Sequence, residues 1–326
     1  MRIGVVAPAS PVGQIELSAG VEHLRKLGLD VKVHPQTAKQ HFIFAATDLE
    51  RAEAFYEYAT DPSIDVIWSA GGGYGATRIL SMLEDLAEER GRPPPKLLVG
   101  YSDITALHEL VRSRWNWASL HCPMPSAGSF CNLDERYLAA AISYVNHRKP
   151  PDPWAGKPMQ FMVNPPKESI HGVLVGGNLS LWVVLMGTPF SPINVPGRIL
   201  FLEDVEEAPY RIDRMMTHLF SAGALENLSA IILGDFTDCK DSPSMVLAEP
   251  RVGSEPPKKK PIRPLIELDD ALRHTFGDIG ERLGIPIAVG LPVGHGPNFA
   301  PLPLGAEYQL SPQGELSLQH WSWLRS

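Results

Sequence analysis

Cysteine is scarce in this chain of 326 residues. Cys122, Cys131 and Cys239 are an odd set with no C-x-x-C pair, so neither a disulfide framework nor a thiolate metal site is indicated. No H-E-x-x-H or comparable ligand spacing occurs, and no metal is expected. Positive charge is also in short supply. The 29 Lys and Arg against 37 Asp and Glu leave a net charge of −8, which argues against nucleic acid as a partner, since that needs clustered cations facing phosphates. The one dense basic run, Lys258-Lys259-Lys260, lies among prolines and reads as a solvated loop. No apolar run reaches the length of a membrane span, and the apolar core of residues 1–8 is too short for a signal peptide. The expectation is a cytoplasmic protein with no membrane partner. The first strand–helix turn, residues 8–13, lacks G-x-G-x-x-G, which disfavours a dinucleotide, and no cofactor is expected. There is no internal repeat.

What is present is an alternation of apolar runs with helical periodicity, over a length that suits two domains. Strands are expected at 3–7, 31–33, 64–68 and 97–100. Between them Val21, Leu24 and Leu27 recur at helical spacing up to Gly28, and Thr47 with Glu50 forms a capping box for a helix to residue 59. Ile79, Leu80, Leu83 and Leu86 mark a further helix, and 133–145 another. Strands alternating with helices imply an α/β fold with a parallel sheet covered on both faces. Prolines break the pattern near 150, giving an N-terminal domain at 1–148, a linker at 149–165 and a C-terminal domain at 166–326. In that second half strands are expected at 171–176, 198–205, 230–234 and 285–291, with two short ones near the C-terminus, a short helix at 212–219 and a loop excursion at 238–264.

Three stretches carry chemistry. Gly100-Tyr101-Ser102-Asp103 follows a strand and precedes a helix, the setting of a nucleophile elbow, with Ile104 where a second glycine would stand. The plainer reading of Ser102 or Asp103 is a helix cap. Gly71-Gly72-Gly73-Tyr74-Gly75 leaves backbone amides open to a ligand and can cradle a phosphate, bind a carboxylate or lend an N–H to an oxyanion; it can also be no more than a flexible turn. Glu203 ends an apolar strand and needs a partner, either an imidazole or a structural ion pair with Arg211 or Arg214. His295, between Gly294 and Gly296 after another strand, is the general-base candidate among 11 histidines, with a simple turn histidine as the alternative. Ser102, His295 and Glu203 thus fill the roles of nucleophile, base and orienting acid. Cys122 competes as nucleophile, but His121 beside it points to the opposite face of an extended strand.

Together and in order, Gly72-Gly73-Tyr74-Gly75, Gly100 to Leu107, Gly176-Gly177-Asn178-Leu179, Leu200 to Asp204 with Tyr210-Arg211-Ile212-Asp213-Arg214, and Gly294-His295 with Asn298 resemble the LD-carboxypeptidase family of serine peptidases, which includes the microcin C self-immunity peptidases. The resemblance covers nearly the whole chain. It implies a Ser102–Glu203–His295 triad and an oxyanion hole from the N–H of Asp103 with that of Gly72 or Gly73. It implies a Rossmann-like N-terminal domain, akin to class I glutamine amidotransferases, supplying the serine. A smaller C-terminal domain, α+β or β-barrel-like, supplies the acid and the base, with the site in the cleft between them and a homodimer as the assembly. The expected reaction is hydrolysis of an amide next to a free carboxylate, releasing the terminal D-alanine of a murein tetrapeptide in cell-wall recycling. The alternatives are cleavage of a peptidyl- or aminoacyl-nucleotide toxin and, from another class, a two-domain protein that binds a small ligand without chemistry. Tyr74, Arg78 and Arg211 are candidates for holding the substrate. The chain departs from the family pattern at Gly71, where arginine is usual, at Cys122, where glycine is usual, and in the length of 238–264.

Overall fold

The computed structural model describes residues 1–128, 130–192, 196–243, 245–247, 259–297 and 299–325, with 245–247, 259 and 260 described as backbone only. Asn298 therefore lies outside the described residues. The first half runs β1 (Arg2–Val6), α1 (Gln14–Lys26), β2 (Asp30–Val33), α2 (Asp48–Thr60), β3 (Val66–Ser69), α3 (Ala76–Arg90), β4 (Leu97–Gly100), α4 (Thr105–Arg114), β5 (Ala118–His121) and α5 (Glu135–Val145). The second half runs β6 (Gln160–Val163), β7 (Ile170–Asn178), α6 (Leu179–Leu185), β8 (Ile199–Val205), α7 (Pro209–Ser221), β9 (Ala230–Thr237), β10 (Met245–Leu247), β11 (Lys259–Pro261), α8 (Leu268–Leu283), β12 (Ile287–Val289), β13 (Leu302–Leu304), β14 (Glu307–Leu310) and β15 (Leu316–His320). The capping box at Thr47 and Glu50 is formed in both directions.

The first sheet has the order β13-β5-β4-β3-β1-β2, with β1 to β5 mutually parallel. Its central strands are buried on both faces, as crossover helices require. Successive residues go to opposite sides. Trp68 and Val99 meet Leu17, Val21 and Leu24 of α1 and Tyr144 of α5, whereas Ile67 and Leu98 meet Phe55 of α2, Leu83 of α3 and Leu110 of α4. β13, from the stretch expected in the second domain, closes one edge of this sheet antiparallel to β5.

The second sheet has the order β15-β14-β7-β8-β9-β12-β6. β7, β8, β9 and β12 are parallel, and β14, β15 and β6 add antiparallel edges. The expected α/β class, with a parallel first sheet and a second domain of mixed architecture, is the class observed. On β8, Ile199 and Phe201 face the core shared with the first sheet, and Leu200 and Leu202 face α7 and α8. Strand alternation thus aims Glu203 toward the first sheet and Asp204 away from it. β6 lies within 149–165 and pairs with β12. The excursion is not all loop as expected: β10 and β11 pair antiparallel within it, and Arg263 bonds Asp241 at its base (Nη2–Oδ1 2.9 Å).

Candidate active site

The carboxyl ends of the first sheet carry the loop after β3 and the turn after β4. Ser102 sits in that turn with φ of +60°, a left-handed conformation that costs a non-glycine residue roughly 1–3 kcal/mol and marks a constrained site. A single 3₁₀ turn, Ser102–Ile104, leads into α4. The capping alternative fails for the serine. No side chain caps this turn or α4, and among the described residues the Ser102 hydroxyl makes no hydrogen bond. Gly72 lies against it: a Cβ at residue 72 would stand 3.2 Å from Ser102 Cβ and 3.5 Å from its Oγ, so a side chain there would crowd the nucleophile candidate.

β8 delivers the acid. Glu203 is fully buried and accepts from His295 Nδ1 at 2.7 Å. Since a carboxylate only accepts, this bond assigns the imidazole proton to Nδ1 and leaves Nε2 as the basic nitrogen. Burial alone lowers the His295 pKa, but the Glu203 bond and charge, with Asp204 and Asp235 behind them, outweigh it and hold the imidazole above its ordinary 6.5. The structural alternative for Glu203 does not hold: Arg211 pairs with Glu207 (3.5 Å), and Arg214 lies over the Tyr210 ring. Asp204, one residue on, faces the start of α6. It accepts from the Ser180 amide (3.0 Å), the Ser180 hydroxyl (2.7 Å) and Asn178 Nδ2 (2.9 Å).

Two contacts bring the halves together. The Asn178 amide donates to Thr105 Oγ1 on α4 (3.1 Å), and Asn178 is level with Glu203 in the β7–β8 register. The ring of Tyr101, next to Ser102, packs on His295 with centroids 4.8 Å apart and on Phe299 at 4.7 Å. The imidazole thus stands beside the elbow, although among the described residues no hydrogen bond joins His295 to Ser102. Such bonds are often long in free enzymes and tighten with substrate. Cys122 is no rival: it is buried, which pushes its thiol pKa up, and His121 beside it is enclosed with its pKa held well below 6.5.

Residues 3–122 match the LD-carboxypeptidase N-terminal domain and residues 171–310 the LD-carboxypeptidase C-terminal domain. The probable murein peptide carboxypeptidase of Bacillus subtilis is 34% identical over 237 residues, 73% of this chain and 72% of that protein. The chain belongs to the LD-carboxypeptidase family. Muramoyltetrapeptide carboxypeptidase from Oxalobacter formigenes superposes with a TM-score of 0.73 at 28% identity, over 98% of each chain. The microcin C7 self-immunity protein of Escherichia coli is 26% identical, covering 92% of this chain and 87% of its own.

In this LD-carboxypeptidase family member the other site candidates separate. Tyr74 is half-exposed, with its ring 5.6 Å from Phe44. Arg78 binds the Asp48 carboxylate (2.6 and 3.0 Å), so its charge is already engaged. These residues line a cavity of about 800 Å³ with His41, Phe42 and Ile43. Arg211, on α7, pairs with Glu207, which also accepts from the Ser180 hydroxyl (3.4 Å). Asp103 is buried, and its side chain accepts from the Ala76 amide at 2.7 Å. It does cap a helix, as one reading had it, but that helix is α3 and not its own. Sequence reasoning missed Tyr101 and Asp235. Asp235 lies under the His295 loop, and burial with the neighbouring Glu203 charge pushes its pKa up to about 6. The glycines on each side of His295 were the available sign of that close packing: a Cβ at Gly296 would fall 2.2 Å from Asp235 Oδ2. Among the described residues no group of His, Cys, Asp and Glu could hold a metal ion, and no helix is long and apolar enough to cross a membrane.

Proposed function

We propose that the chain is a serine carboxypeptidase that hydrolyses the amide preceding a terminal free carboxylate, releasing D-alanine from murein tetrapeptides. Ser102 Oγ attacks the scissile carbonyl as His295 Nε2 takes its proton. The same nitrogen then protonates the departing amine, and a water activated by His295 cleaves the acyl-enzyme. Glu203 orients the imidazole and stabilises the imidazolium. The N–H of Asp103 and that of Gly72 or Gly73 receive the negative charge that grows on the carbonyl oxygen. Tyr74 and, by its exposed edge, Arg78 border the path for the rest of the peptide. Arg211 would read a substrate carboxylate only by leaving Glu207. This reading places the enzyme in the cytoplasm in cell-wall recycling, as a homodimer, with no cofactor.

The observation that carries the reading is the fully buried Glu203 bonded to His295 at 2.7 Å, set beside an elbow serine held at positive φ. It is supported by the names of the Bacillus and Oxalobacter relatives. Among the described residues no contact favours the toxin-hydrolase reading, and its relative is more distant in sequence, at 26% identity. Incubation with a murein tetrapeptide and, separately, with a peptidyl-nucleotide conjugate tests the assignment. D-alanine should be released from the first. Cleavage of the conjugate alone would transfer the chain to the toxin-hydrolase activity. Turnover of neither, with no labelling of Ser102 by a fluorophosphonate, would leave a binding protein.

A further inference from the structure

The loop that would supply the second oxyanion donor is flanked by an unusual helix start. α3 begins at Ala76 directly behind Gly75, which holds φ of +131°, a conformation effectively reserved for glycine. A glycine has no side chain to cap the helix, so the first amides of α3 would go unpaired. The missing acceptor comes from 27 residues away: Asp103 Oδ2 takes the Ala76 N–H at 2.7 Å, in a buried setting. That residue directly follows Ser102. Other bonds hold the same loop from its far side. Ser10 Oγ accepts the Tyr74 N–H (3.0 Å), the Ser10 amide donates to the Gly72 carbonyl (3.2 Å), and Arg51 donates to the Gly75 carbonyl (2.8 Å). Those contacts fasten the loop to the turn after β1 and to α2. Among the described residues, the Asp103 side chain makes the hydrogen bond that ties it to the elbow.

We propose that the Asp103 carboxylate is a positioning residue, which by capping α3 fixes the 71–75 loop relative to Ser102, so that the two oxyanion donors keep their spacing. The proposal rests on the serine mechanism above and deepens it. The Asp103 amide and side chain then have separate tasks: the amide faces the substrate, and the carboxylate sets where the other amide stands. The carboxylate gains nothing from solvent, since Asp103 is 1% exposed and its Oδ1 has no partner among the described residues. A buried acid kept in such a place needs a function that outweighs its desolvation.

Two measurements test this. The first is kcat and KM for D-alanine release by wild type, Asp103→Ala and Asp103→Asn, normalised to folded protein. Displacing one oxyanion donor costs about 10²- to 10³-fold in rate, so Asp103→Ala should lose about 10²-fold in kcat with KM within about threefold. Asp103→Asn keeps an acceptor at Oδ1 and should recover to within about tenfold of wild type. Asp103→Ala with kcat within about threefold of wild type, or Asn no better than Ala, would overturn the proposal. The second measurement needs no variant. Amide hydrogen exchange in the wild type should show Ala76 as protected as the interior of α3, although first-turn amides ordinarily exchange freely. Free exchange at Ala76 would sink the link even where Asp103→Ala does not fold. If the wild type releases no D-alanine, the hydrolase reading fails by itself, and the exchange result still decides whether loop and elbow are tied.

Discussion

Replacing Glu203 by Gln keeps the side chain's shape and removes the charge next to His295. The consequences follow from burial. Glu203 is fully enclosed and the His295 side chain is only 15% exposed, so little solvent is available to replace the lost interaction. Breaking a buried, hydrogen-bonded pair costs roughly 3–5 kcal/mol. In the reaction that penalty falls on the step that forms the imidazolium, because the carboxylate stabilises the charged ring far more than the neutral one. At 1.36 kcal/mol per decade this is a loss of about 10²- to 10⁴-fold in kcat, with KM changed much less. A second signature is independent of the rate. Without Glu203 the burial of His295 is opposed only by the more distant Asp204 and Asp235, so the acid limb of kcat/KM should move from above 6.5 to a lower pH. The assay is D-alanine release from pH 5 to 9, with circular dichroism on the same preparation to confirm the fold. A folded Glu203→Gln enzyme with wild-type kcat and an unmoved acid limb would refute the role given to Glu203.

In the wild type, kcat/KM should rise with pH through an apparent pKa above 6.5, because the base works as neutral imidazole and its surroundings favour the charged form; a limb centred below 6.5 would contradict the geometry. Asp204→Ala strands the Ser180 and Asn178 donors and should lower stability by about 1–3 kcal/mol in denaturant melts, whereas a change under about 0.5 kcal/mol would show that α6 does not depend on it. Thr47→Ala removes one side of the capping box that starts α2 and should cost about 1 kcal/mol of stability in denaturant melts, whereas an unchanged midpoint would show that the box contributes nothing to α2.

Much of the first sheet was legible because a buried parallel strand and an amphipathic helix each leave a strong local period. The expected elements at 97–100 and 133–145 differ from the observed ones by two residues at most. Where packing overrides local preference, legibility falls. α8 was not expected, since Gly277 and Gly280 lower helix propensity. Gly280 is there for contact: a Cβ would lie 2.5 Å from Ile287 Cγ1. β13 carries Pro303 and pairs with a strand some 180 residues earlier in the chain; only an edge position tolerates that proline, and nothing local announces the partner. At the site, Ser102, Glu203 and His295 each stood at a strand end with an evident chemical use. The two neighbouring acids Glu203 and Asp204 could be told apart only from the phase of β8. Arg78 looked like a free cation because Asp48, its partner, is 30 residues away in sequence.

The central claim is that Ser102 is the nucleophile of an amide hydrolysis. The most direct test is to trap the enzyme with a fluorophosphonate, digest it, and locate the adduct by mass spectrometry, with D-alanine release measured in parallel for wild type and Ser102→Ala. The account predicts one adduct per chain, on Ser102, D-alanine release by the wild type, and loss of both labelling and turnover in a folded Ser102→Ala protein. Ser102→Ala releasing D-alanine at the wild-type rate would contradict it.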